Sequence, residues 1–347
     1  MQPLELDGAV LLAPVRVPAG TLPKGRRLDA AGAAALIDAA RAGGIARAVR
    51  LAWPDPDDLH EDEAAERLAL AAGGGGIELK PPRQSRLDLA AAWDGVVRVR
   101  AGALHRVNAI DPLEVFTLYQ GQSVARGQVV CSVKVAPHLV PGRAVDAGVA
   151  IAREEGPLVE VRPFRPMEVG AIAAEEAITP DAIERFEAGA RAKVEALGST
   201  FSGTIAVPDG DPARARAGAR AALIMLTLER RLPVVLVGGV SAGDPLSPFI
   251  AALASLGGAM VRRGVPAHPG SMIWLARLND TQILGLPQCG MFTMATAADL
   301  VLPRLLTGEI LTAESLADLG HGGLLSRDMR FRFPAYARDL ASPSGEA

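Results

Sequence analysis

Between residues 165 and 310 the chain alternates short apolar runs with segments whose apolar positions recur every three or four residues. Residues 169–173, 204–207, 233–237 and 259–262 have the length and uninterrupted apolar character of buried strands. The intervening segments 180–197, 211–230 and 246–256 carry the helical period. Pro180 follows Thr179 and Pro212 follows Asp211, each pair placing a capping side chain ahead of a proline in the first helical turn. A hairpin, 272–275 with 282–284, and a helix over 291–306 complete the pattern. Alternation of this kind predicts an α/β fold built on a doubly wound, largely parallel sheet with right-handed crossovers. Ligands in such sheets bind at the carboxyl ends of the strands.

The pattern upstream is less regular. A strand at 9–12 precedes a helix capped by Asp29 and running to 42, stopped by Gly43-Gly44, and a strand follows at 46–51. Residues 61–72 form an amphipathic helix ended by four successive glycines, 73–76. Short strands at 96–99, 115–118 and 129–135 and helices at 101–109 and 143–154 make this a mixed α/β stretch. The expected division is an N-terminal α+β segment 1–56, a middle unit 57–164, a ligand-binding α/β domain 165–310 and a C-terminal extension 311–347. From residue 328 the extension has no period and reads as irregular.

Composition narrows the function class. The chain of 347 residues is long enough for two or three domains. Hydrophobic residues make up 49% and aromatics only 4%, the Ala/Val/Leu mass of helices packed on sheets. A net charge of −3 supplies no basic field for nucleic acid. With two cysteines, Cys131 and Cys289, neither a disulfide framework nor zinc-ligand spacing is expected. No apolar run reaches membrane-spanning length and no signal peptide is recognised, so a cytoplasmic protein is expected, without membrane or nucleic-acid partners.

The richest stretch is Gly238-Gly239-Val240-Ser241-Ala242-Gly243-Asp244. It follows a strand and precedes a helix. Glycines there let backbone N–H groups approach a ligand, and a helix N-terminus favours an anion such as phosphate. Asp244 is placed to cap the helix or to hold a cation. Ser241 has no histidine base near it in sequence, which argues against a nucleophile. Two further loops follow strands: Ala173-Ala174-Glu175-Glu176 and Gly285-Leu286-Pro287-Gln288-Cys289. Glu175 and Glu176 read either as solvated residues or as site carboxylates. Cys289 reads either as a small buried apolar residue or as a thiol on the ligand rim. His268, with Arg262 and Arg263, is a candidate phosphate cluster.

In this order and spacing, Gly-Gly-Val-Ser-x-Gly-Asp, then His268-Pro269-Gly270 in the place of Lys-Pro-Gly, then Gly285-Leu286-Pro287, resemble the molybdopterin-binding domain of the molybdopterin molybdotransferase family (MoeA- and MogA-like). The resemblance covers about residues 169–306. The flanks Leu22-Pro23-Lys24-Gly25-Arg26-Arg27-Leu28, Glu61-Asp62-Glu63-Ala64, Arg162-Pro163-Phe164-Arg165-Pro166 and residues 308–325 resemble molybdopterin-binding proteins fused to molybdenum-cofactor nucleotidyltransferases. That partner domain is not found here.

The resemblance implies a ligand, molybdopterin, its adenylated form or the molybdenum cofactor. It places Gly238, Gly239, Val240, Ser241, Gly243, Asp244, Pro269, Gly270, Gly285, Leu286 and Pro287 in the cofactor-binding set, and Cys289 joins them as the thiol standing where the ligand rim is expected. It also implies Mg²⁺ at Asp244, catalytic roles for Asp244 and Glu176, and a homodimer. A nucleotidyltransferase or a molybdoenzyme would be the protein partner. Departures thin the catalytic equipment. The family's Ser-Thr-Gly-Asp-Glu is Ala173-Ala174-Glu175-Glu176-Ala177, Ser271 stands for a lysine, Gln288-Cys289 stand for Gly-Asn, and no Ser-x-Met-Asp-Gly-Tyr-Ala motif occurs. The expected function is therefore binding of molybdopterin or molybdenum cofactor during its biosynthesis or delivery. The alternatives are an active molybdotransferase and a non-catalytic scaffold for molybdoenzyme maturation.

Overall fold

A computed structural model describes residues 3–45, 47–82, 86–175, 179–207, 210–286 and 294–338. The chain forms two compact units, one from residues 1–93, 98–118 and 126–161, the other from 94–97, 119–125 and 162–347.

In the first unit Asp29 caps the Ala30–Arg41 helix by accepting the Gly32 amide at 2.7 Å. The inward face of that helix, Ala33, Leu36 and Ile37, packs with Leu6, Leu11 and Leu22. A four-stranded antiparallel sheet runs in the order Ile77–Leu79, Arg86–Ala91, Val129–Val135, Leu113–Thr117. The helix Glu61–Ala72 forms over the predicted residues and buries Leu68 and Ala69. Gly148, in the helix Gly142–Glu155, lies so close to Leu113 and Leu68 that a Cβ would sit 2.6 Å from a methyl of Leu113. The missing side chain is what lets this helix seat.

The second unit is built on a six-stranded sheet in the order Thr200–Ala206, Glu168–Ala173, Val234–Gly238, Thr281–Leu286, Trp274–Leu278, Ala259–Arg263. The first three pairings are parallel and the last two antiparallel. The chain is thus mixed α/β as expected, and the sheet is not parallel throughout, its parallel part ending at Thr281–Leu286. In the four-stranded sheet and the two-stranded ribbons outside this sheet, the pairings among the described residues are antiparallel. The reason is local in the second unit. Leu278 pairs with Thr281 across a two-residue turn in which Asn279 takes φ +50, and so short a turn returns the chain antiparallel.

Alternation along the strands sorts side chains between two cores. Val169, Ala171, Leu236 and Leu284 face Phe186, Ala190 and Val194 of the Pro180–Glu195 helix. Ile172, Val235, Val237 and Ile283 face Leu223 and Phe249, from the Pro212–Leu223 and Pro248–Ser255 helices. The segment read as aperiodic has regular structure within its described residues, 328–338. It forms a 3₁₀ turn over Arg327–Arg332 and a short helix Ala335–Arg338, and Phe333 and Ala337 are buried.

Candidate functional site

The sheet register levels the strand ends. Ala173 pairs with Ala206 on one side and Gly238 on the other, and Gly238 pairs with Leu286. Four parallel strands therefore finish at one edge, and the loops after them leave from the same rim. Glu176, Pro287 and Cys289 lie outside the described residues. On this rim a cavity of about 360 Å³ is lined by Ala174, Glu175, Val207, Asp244, Pro248 and Phe249, among others. It joins the first and second loops read from the sequence.

The glycine-rich turn is held from below. Gly239 takes φ +87, a conformation that favours glycine, and swings the chain off the strand. Val240 is buried and its carbonyl accepts the Trp274 indole N–H at 2.9 Å. A Cβ on Gly285 would overlap the same indole ring. Val240, Gly285 and Leu286 are thus core and anchoring positions beneath the rim. Gly243 is exposed, and a Cβ there would meet only Met272 and Ser241, at 3.6 and 3.7 Å. Its side of the turn opens to space.

The polar side chains of the turn bond back to it. Ser241 Oγ accepts the Gly243 amide at 3.2 Å and Asp244 Oδ1 accepts the Leu246 amide at 2.8 Å. The helix starts at Pro248 rather than 246, so Asp244 does not cap it. Ser247 does, accepting the Ile250 amide at 3.2 Å. Ser247 Oγ in turn donates to Glu175 Oε1 at 2.5 Å, and the Phe249 amide donates to the same oxygen at 3.3 Å. Glu175 reaches this position from a left-handed backbone, φ +52. It stands where the resembling motif has glycine.

The helix N-terminus is therefore already supplied with a carboxylate from its own chain. In the turn, the amides of Ser241, Ala242 and Asp244 have no acceptor among the described residues. The sequence pattern did not single out Glu175 as the helix-capping group. The signal was a bulky residue at a glycine position.

The other predicted residues do structural work. Pro269 accepts the Ala297 amide at 2.8 Å. Gly270, φ +95, lies where a Cβ would approach Thr296 Cβ at 2.7 Å. Together they fix the start of the Ala298–Leu305 helix. His268 is exposed and exchanges backbone hydrogen bonds with Gly323 and Leu325. Arg262 donates to the carbonyls of Gly264 and Ala313, each at 2.9 Å, and Arg263 to that of Ala242 at 3.4 Å. The His268/Arg262/Arg263 cluster is thus not assembled for an anion, although Arg263 steadies the glycine-rich turn.

A buried network lies beside Gly270. Asp299, fully buried, receives Lys193 Nζ at 2.5 Å, the Thr296 amide at 2.8 Å and the Tyr336 hydroxyl at 3.0 Å. Burial first, then the Asp299 carboxylate, pushes the Tyr336 phenol well above its ordinary range. Sequence reading missed this trio. Its one signal was Lys193 standing among the inward positions Phe186, Ala190 and Val194.

Among the described residues no group of three or more His, Cys, Asp or Glu side chains could hold a metal ion. Asp244, with one oxygen already on Leu246, does not by itself fit Mg²⁺, which needs several oxygen ligands.

Comparison with known proteins places the chain as follows. No family model matches it, and no curated protein matches it. Among solved structures it is similar to a molybdopterin biosynthesis MoeA protein from Pyrococcus horikosii, at 17% identity and TM-score 0.28, over 76% of this chain and 81% of that one. It is similar to the molybdopterin biosynthesis enzyme MoaB from Thermus theromophilus, at 19% identity and TM-score 0.28, over 41% and 98%. A molybdenum cofactor biosynthesis protein B is similar at 12% identity and TM-score 0.26, over 45% and 93%.

Proposed function

We propose that the protein acts in molybdenum cofactor biosynthesis by binding molybdopterin, or a form derived from it, on the rim of its six-stranded sheet. The observation that carries this reading is the register that aligns Ala173, Gly238 and Leu286, the strand ends of the loops that resemble the family motifs. The ligand phosphate meets the amides of Ser241, Ala242 and Asp244, which lack acceptors among the described residues. Asp244, on the wall of the cavity, orients the ligand through its N–H groups. This differs from a cradle at the helix N-terminus, because Glu175 holds that place.

Molybdate insertion is the less supported activity, since the family's Ser-x-Met-Asp-Gly-Tyr-Ala motif does not occur in the chain. A second reading, the non-catalytic scaffold, is favoured by Glu175 itself. A carboxylate at the helix N-terminus repels an incoming phosphate.

The test is titration of molybdopterin into the purified protein, with Asp244→Asn and Glu175→Gly beside the wild type. Wild-type binding weakened about tenfold or more by Asp244→Asn supports ligand orientation at this rim. Binding gained only in Glu175→Gly supports the scaffold. No binding in any of the three sinks the cofactor reading. Release of AMP from adenylated molybdopterin on adding molybdate would establish the transferase instead.

A further inference from the structure

The end of the second unit concentrates charge of one sign. Its 3₁₀ turn Arg327–Arg332 and short helix Ala335–Arg338 carry four arginines, Arg327, Arg330, Arg332 and Arg338, against one acid, Asp328. The stretch is thus +3 in a chain whose net charge is −3. Among the described residues none of the four arginines forms an ion pair, not even with Asp328. Three residues make one turn of a 3₁₀ helix, so Arg327 and Arg330 share an edge.

Arg332 shows how little of this charge is balanced. It is 3% exposed, and its guanidinium meets only neutral partners, the Tyr119 ring at 4.6 Å from the centroid and the Gly322 carbonyl. Burial pulls the Arg332 guanidinium below its ordinary range, opposed by Tyr119 and by no carboxylate. The Nε atoms of Arg330 and Arg332 are both buried without a hydrogen-bond partner. Cations held in this way favour an anion brought from outside.

The surface beside these arginines is apolar. Tyr119 and Phe331 stack with ring centroids 5.9 Å apart, yet remain 40% and 46% exposed. Leu324, two residues beyond Gly322, is 81% exposed. Uncovered aromatic rings beside arginines are the composition of protein interface centres. The charge decides the partner's sign, which must be acidic. A nucleic-acid strand suits the surface less well. It needs cations spaced along a groove, whereas these are confined to one turn of a chain with net negative charge.

We propose that this face docks an acidic segment of a partner protein, its carboxylates on Arg327 and Arg330 and an apolar side chain against Tyr119 and Phe331. The surface is independent of the sheet rim and of the molybdopterin reading.

The test is calorimetric titration of the full chain with the peptide acetyl-Asp-Glu-Leu-Phe-Glu-Asp-amide. The peptide binds, and replacing its Leu-Phe by Ser-Ser weakens binding about tenfold. Arg327→Glu and Phe331→Ala each weaken it about tenfold, both through exposed side chains whose loss leaves the fold intact. Absence of binding by the wild type overturns the proposal. So does an affinity that Arg327→Glu leaves unchanged, or one that the Ser-Ser peptide matches, which would mark capture of charge alone. Tighter binding of a twelve-residue oligothymidylate than of the peptide would overturn it in favour of nucleic acid.

Discussion

Single residues show how closely the chain is fitted around the rim. Gly285 faces the Trp274 indole with no room for a methyl group, and that indole holds Val240 at the base of the glycine-rich turn. Gly285→Ala is expected to destabilise the second unit by about 2–3 kcal/mol through overpacking. The readout is a lowered denaturation midpoint by Trp274 fluorescence in a Trp53→Phe/Trp93→Phe background. A second residue-scale prediction concerns Cys131. Burial, then the nearby Asp88 carboxylate, pushes its thiol up to about 12. At pH 8 it remains a thiol rather than the reactive thiolate. In a Cys289→Ser variant the native protein should give no reaction with a thiol reagent at that pH, and one equivalent after denaturation. Native-state labelling of Cys131 would contradict this.

At the scale of one element, the Pro248–Ser255 helix depends on a residue far upstream in the chain. Glu175 accepts from Ser247 and Phe249 at the cost of a left-handed backbone. Both Glu175→Ala and Glu175→Gly lose those bonds, for about 1 kcal/mol each. Alanine must also keep the left-handed conformation, so it should be about 1 kcal/mol less stable than glycine. Thermal unfolding of the pair checks the order. Equal midpoints would mean that the φ of Glu175 relaxes when its carboxylate is gone.

At the scale of the whole molecule, stability is tied to buried ionisable groups in both units. Lys193→Met leaves Asp299 buried without its cation and should cost about 3–5 kcal/mol, read by denaturant unfolding. The pH response has a definite sign. Tyr336 in the folded chain ionises above the ordinary phenol value of 10.0, and Cys131 near 12 rather than 9.0. Each raised group contributes stability that is complete below its unfolded value and is lost as pH climbs toward the folded one. The first unit should weaken from about pH 9, through Cys131, and the second from about pH 10, through Tyr336. Tyr336→Phe should flatten the alkaline limb of the second unit while leaving that of the first. An unchanged limb would remove Tyr336 from this account.

Local signals in the sequence determined much of the second unit. Thr179-Pro180 and Asp211-Pro212 mark helix starts, and the run before Gly238 marks a central strand, because capping and strand burial act over a few residues. The same signals read the Glu61–Ala72 helix and the Val129–Val135 strand. Pairing direction was less legible. The Trp274–Leu278/Thr281–Leu286 hairpin was readable, but an apolar run has the same composition beside a parallel or an antiparallel neighbour, so the antiparallel pairing of Ala259–Arg263 and the strand Arg86–Ala91 emerge only from register. At the site, the glycine-rich turn could be seen in the residues, but what bonds to it could not. Ser247 rather than Asp244 caps the helix, Glu175 fills its N-terminus, and Val240 anchors the turn to Trp274, through contacts spanning 3 to 74 residues. The meeting of Gly25 with Glu61 and His138 is likewise a tertiary outcome. Local propensity is written in neighbouring residues, whereas hydrogen-bond partners and close approaches exist only once distant segments are packed together.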